Sequence, residues 1–227
     1  MFQFPRLMPL TRGLLIATAV SFLLHSVVQV WLQSPWGLVL ALRAGDLSPW
    51  TALQLFTHPL AWAIKPRSAL ELAFALVMLW WFVSPFEERY GKKAAAQLLA
   101  LATLSAGVLA ALVGLLTPPD YVLGPNNWVF ASLGALGWSL RYAPMDILGL
   151  RTRGEAYVWF ALALVGINFL TDPRVPTLVA ELAAIGAGVG FVAWRRRRLP
   201  KARVSSVVSI DAARRSRDGK NKKEWLN

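Results

Sequence analysis

The chain has 227 residues, of which 56% are hydrophobic and 16% charged, against about 25% charged in an ordinary soluble domain. It has no cysteine, which excludes disulfides, thiol catalysis and thiolate metal sites. The net charge of +12 would suit nucleic acid, but half of the 24 basic residues lie between Arg195 and Lys223. A basic tail beside an apolar block binds anionic lipid headgroups and fixes orientation, so nucleic acid is not the expected partner.

In chain order, residues 1–12 read as a cytoplasmic N-terminus. The apolar block Gly13–Trp31 is too long for a signal-peptide core and no small-residue cleavage site follows it, so it is expected to remain as a first span. The connection from Leu32 to Ser68 is apolar but broken by Pro35, Pro49, Pro59 and Pro66. It reads as helices lying in the interface, with Trp36, Trp50 and Trp62 at headgroup depth. Five further spans follow: Ala69–Val83, Ala94–Leu116, Trp128–Tyr142, Ala156–Leu170 and Pro176–Trp194. The expected fold is an all-α bundle of six transmembrane helices over residues 13–194. Spans two, four and five are near 15 residues, about 22 Å against a hydrocarbon core of about 30 Å. Short helices survive when others surround them, and the fourth carries Ala131, Ser132, Gly134, Ala135 and Gly137, which let backbones approach closely. It is the expected central helix. Arg195–Arg198 then reads as a stop signal, and residues 195–227 as a basic, disordered cytoplasmic tail.

With both termini in the cytoplasm, Arg43, Lys65, Arg67 and Arg174 face outward and the other 20 basic residues inward. The asymmetry survives removal of the tail, as the positive-inside rule requires.

Glu71 and Glu181 are the acidic residues expected inside spans, where an unpaired carboxylate in hydrocarbon is costly; both should face the bundle interior or a water cavity. One reading is a polar pocket that bonds a client helix or conducts protons. The other is a Glu181 carboxyl bonded to Asn126, pinning the fourth helix to the sixth. Asn126 and Asn127 follow a Gly-Pro turn and suit helix N-caps. Asn168 is expected to make an interhelical hydrogen bond, and His58, before Pro59, to sit at the interface. Gly186-x-x-x-Gly190, with Gly188, is expected to pack internally against the fourth helix.

Several stretches occur together in one order: "LQLFTHPLAW" in the first loop, "LWWF" at the end of the second span and "FEERYG" at Phe86–Gly91. The glycine-opened "GPNNWVFASLGAL" and then "AELAAIGAGVG" in the last span complete the series. From about Thr11 to Phe191 the pattern resembles the rhomboids, six-helix intramembrane serine proteases. The resemblance implies Gly-x-Ser-Gly at the start of the fourth helix, where this chain has Gly124, Pro125, Asn126 and Asn127. It implies a histidine base early in the sixth helix, where Glu181 stands. It places Glu71 and Ala75 at the second-helix His and Asn, with a short insertion around Ile64–Arg67. Leu53 and Gln54 stand at the first-loop Trp-Arg pair, and Phe56, Thr57 and His58 match their family neighbours.

The chain has two histidines, His25 in the first span and His58 in the first loop, and none in the last three spans. A serine hydroxyl needs a base within hydrogen-bond reach, and an asparagine cannot form an acyl enzyme in this mechanism. Ser132 lies nearly two turns deeper in the fourth helix. The resemblance with these departures implies a pseudoprotease that binds transmembrane segments of client proteins without cleaving them. An intramembrane serine endopeptidase and a small channel or transporter using Glu71 and Glu181 are the alternatives. No metal site and no cofactor are expected.

Overall fold

The computed structural model describes residues 5–34, 38–147 and 150–198. The chain divides into two compact units, Met1–Ala193 and Trp194–Asn227. Trp36, and the tail beyond residue 198, lie outside the described residues.

The element order is α1 (Pro9–Ser26), a five-residue π-helical turn (Val27–Trp31), β1 (Leu42–Ala44), α2 (Pro49–Thr57), a 3₁₀ turn (His58–Leu60), α3 (Ser68–Tyr90) and α4 (Lys92–Gly114). Then come β2 (Asp120–Val122), α5 (Asn126–Leu140), the antiparallel pair β3 (Pro144–Ile147) and β4 (Leu150–Arg153), α6 (Ala156–Thr171) and α7 (Val175–Arg198). Among the described residues, four segments are long and apolar enough to cross a membrane: Pro9–Trp31, Ser68–Tyr90, Lys92–Gly114 and Val175–Arg197. Ala156–Thr171 is apolar but shorter. α5, at 15 residues, is the most enclosed, with 12 of them buried. It packs against α3, α4 and α6, as expected of a central helix.

α1 starts at Pro9, whose fixed φ suits the first helical position. No side chain of its own caps it. The carboxylate of Glu87, 76 residues from Thr11, does so instead. Glu87 Oε1 accepts from Leu10 N at 2.8 Å, and Oε2 from Thr11 N at 2.8 Å and Thr11 Oγ1 at 2.9 Å. Free N–H groups at a helix start need such acceptors.

Glu87 also corrects the sequence reading, which ended the second span at Val83. α3 runs through Pro85 to Tyr90, 23 residues in all. The ring costs one backbone bond. Burial of Phe86 and Glu87 immediately after it, with Phe86 stacked on Tyr90, holds the helix together. Glu87 is therefore, with Glu181, a buried carboxylate within an apolar helix. Gly91, at φ +84°, is the only residue between α3 and α4.

The first connection is less helical than expected. It holds α2, the 3₁₀ turn and the short strand β1, which pairs antiparallel with β2, Leu42 opposite Val122 and Ala44 opposite Asp120. Trp50 is exposed, as an interfacial residue would be, but Trp62 is buried, its ring edge-on to Phe22 at 5.4 Å. Gln29, in the π turn, explains the burial: its amide brackets this segment by donating to Trp62 O and accepting from Ile64 N at 2.9 Å.

The α5–α7 contact also departs from expectation. A Cβ at Gly134 would lie 2.6 Å from Ile185 O, and one at Gly188 would collide with Ala131 O, so these glycines carry the close approach. Gly186 and Gly190 are exposed and face open space. The i, i+4 spacing is real but belongs to the opposite face.

Candidate functional site

Asn126 and Asn127 open α5, preceded by Gly124 at φ +87° and Pro125. They do not cap it: the cap position is Pro125, and no side chain bonds the free N–H groups. As consecutive helical residues their side chains diverge by about 100°. Asn127 turns inward and is buried, whereas Asn126 is exposed and faces a cavity.

Asn127 Nδ2 lies 3.0 Å from His58 Nε2. His58 is not an interface residue, since it is 0% exposed. Its Nδ1 lies 3.1 Å from the Gln54 carbonyl, which can only accept, so the proton sits on Nδ1 and Nε2 accepts from Asn127. The His58 carbonyl accepts from Gly124 N at 3.1 Å. Gly107 of α4 leaves room for the ring, since a Cβ there would lie 3.2 Å from His58 Cε1. His58 lies in the connection between the α1 and α3 spans, and burial lowers its pKa from 6.5 to about 4 despite the backbone bonds to Gln54 and Leu55. This neutral imidazole fastens the first connection to the entrance of α5. The neighbouring Phe56 is exposed and takes no part.

The cavity has a volume of about 330 Å³. Glu71, Ala75, Asn126 and Glu181 all line it, so four of the five positions singled out from the sequence share one space. Asn127, the fifth, is turned to His58. Asn168 was expected to bridge helices and does: its Nδ2 donates to Glu181 Oε1 at 3.1 Å, and the Asn126 amide also interacts with that carboxyl. Glu181 is 2% exposed. Glu71 belongs instead to the first turn of α3 and is exposed, where a carboxylate complements the helix dipole.

Arg174, between α6 and α7, stands at the rim. It pairs with Asp172 at 2.8 Å and Asp120 at 3.9 Å, and donates to Tyr121 O at 3.4 Å. α3 and α6 meet through Phe82 against Tyr157 and Phe160, while their cavity-lining residues (Phe74 and Met78, Leu164 and Asn168) lie toward their other ends. Beyond the cavity Leu79, Leu133 and Val165 are buried. Sequence reasoning missed Arg174, Thr177 and the Glu87 cap; the i, i+4 relation of Thr177 to Glu181 could have found the second.

Among the described residues, no serine or histidine lines this cavity. Ser132 is fully buried, its hydroxyl without a partner among the described residues. One serine does stand beside an imidazole, Ser21 Oγ at 3.4 Å from His25 Nδ1. That pair is not poised for attack. His25 Nδ1 gives its proton to Ser21 O at 2.8 Å, and Ser21 Oγ gives its own to Leu60 O, so Nδ1 has no lone pair to act as base.

No curated protein matches the chain. The family model of the Rhomboid domain matches residues 49–198, which contain α2 to α7 and every residue lining the cavity. With four apolar helices of spanning length, the protein is a multi-pass integral membrane protein, and the chain belongs to the rhomboid family.

Proposed function

We propose that this protein is a rhomboid-fold pseudoprotease that binds transmembrane segments of other proteins without cleaving them. The observation that carries the reading is the cavity's lining. Asn126 and Glu181 stand where the family frame puts nucleophile and base, and neither a serine hydroxyl nor an imidazole is within the cavity to replace them. The site keeps a space, apolar walls and hydrogen-bonding groups, which suits binding. In this reading α5 and α6 cross with the four longer helices, making six spans. Both termini are cytoplasmic, in the plasma or inner membrane if the source is bacterial. The tail rests on anionic headgroups, and nucleic acid is not a partner.

The test uses the full chain in liposomes. A fluorophosphonate probe and a panel of transmembrane substrates should give neither labelling nor cleavage, while a photo-crosslinker at the cavity captures intact segments. Clean turnover abolished by Ser132→Ala would overturn the proposal in favour of an active serine endopeptidase.

A further inference from the structure

We infer that the segment this cavity accepts carries a basic side chain, lysine or arginine, which ion-pairs with Glu181. The inference rests on the client-binding reading above and specifies what the client must contain. The cavity exceeds by far the roughly 10–15 Å³ that one water requires, so it is built for a side chain rather than for a lone ion. Its charged lining is Glu71, Asp172 and Glu181 against Lys65 and Arg174. Arg174 acts on Glu181 at a distance, but its short contact is with Asp172 at 2.8 Å, and it is further shared with Asp120.

Acceptors therefore prevail at the inner wall. The Glu181 carboxyl takes a bond from Asn168 and interacts with the Asn126 amide, two of the roughly four acceptor positions a carboxylate has. One turn earlier on α7, Thr177 Oγ1 is buried and has no partner among the described residues. Asn126, whose amide engages the Glu181 carboxyl, stands beside them. An ammonium has three donors and no acceptor, and a guanidinium five donors, so either suits this group of oxygens. Phe74, Met78, Leu164 and Leu178 supply an apolar passage for the aliphatic stem. An acidic client would instead face Glu181 at the inner wall, and a purely apolar one would cover Glu181 without pairing it.

The full chain, with benzoyl-phenylalanine replacing Phe74, is reconstituted with single-span leucine–alanine helices that differ at one position near one end, carrying Lys, Glu, Gln or Leu. The Lys helix should crosslink about tenfold more than the Leu helix. Glu181→Gln, which can still accept from Asn168, should erase that preference, and Glu181→Lys should transfer it to the Glu helix. Equal capture of all four helices would overturn the inference and leave client binding intact. Capture of none would overturn both.

Discussion

The fastening of the first connection to α5 makes a prediction whose sign and size follow from the geometry. His58 is enclosed as the neutral Nδ1–H tautomer between Gln54 O and Asn127 Nδ2. Its pKa is about 4 in the folded protein and 6.5 in the unfolded chain. A base with a lowered folded pKa contributes its full stability above the unfolded value and loses it as pH falls. Between pH 6.5 and 4 the unfolded chain takes up a proton that the folded protein refuses. At about 1.4 kcal/mol per pH unit, acidification over that window removes about 3 kcal/mol. Two measurements check this. The chain has two histidines, so imidazole NMR signals are assigned by one substitution, and the His58 signal should not titrate near 6.5. Unfolding followed in detergent from pH 7 to 4 should show the acid loss in the wild type and a shallower loss in His58→Gln. That variant should be weaker at pH 7 by about 2–4 kcal/mol, since it leaves Asn127 and the space beside Gly107 imperfectly filled. An unchanged acid slope in His58→Gln, or a His58 signal titrating at its ordinary value, would refute the reasoning.

The remaining predictions concern the helix contacts. Glu87→Gln has one acceptor oxygen for three donors and turns an amide toward N–H groups it cannot satisfy; a loss of about 2–4 kcal/mol is expected. Thr11→Val, which exchanges only the hydroxyl for a methyl, should cost about 1 kcal/mol, and thermal unfolding in detergent separates the two. Gly188→Ala should destabilise by about 2 kcal/mol or more, because the added methyl meets Ala131 O. Gly186→Ala, on the open face, should be neutral or gain up to about 1 kcal/mol from helix propensity. Equal effects at these two glycines in the same unfolding assay would place the α5–α7 contact elsewhere.

What could be read from the sequence was whatever depends on runs and periods. Apolar blocks located the helices of spanning length, and Ala156–Leu170 came within one residue of α6. The small residues of α5 marked the helix that others surround, and an amide inside a span signalled that Asn168 bonds across helices, though not that Glu181 accepts from it. Contacts between distant positions were invisible. Nothing local to Phe86–Gly91 says that Glu87 caps a helix 76 residues earlier, and three-residue strands such as β1 and β2 give no alternation to detect. Glycine spacing located two faces of α7 but not the one turned inward, which depends on the neighbour's backbone. His58 looked interfacial because its loop is proline-rich. Its burial comes from two partners, Gly107 and Asn127, that the sequence places 49 and 69 residues away.

The two asparagines at the head of α5 thus have separate duties, and the separation bears on how the cavity opens. Asn127 and Gly124 hold α5 to the first connection through His58, on the side where α4 also packs. Asn126, about 100° around the helix, faces the space bounded by α3, α6 and α7. On that side the α3–α6 contact is made by Phe82 with Tyr157 and Phe160, below the cavity, and the rim is crossed by the Arg174 ion pairs. Ion pairs at a rim are weak compared with a buried packed contact. A segment entering between α3 and α6 would then part Arg174 from Asp120 before disturbing any bond of His58. In the proposed client-binding reading, His58 would hold the entrance of α5 fixed as an occupant arrives, while Glu181 would shift with Asn168 if α6 moved. That division of labour explains why neighbouring residues of one type differ so much in burial.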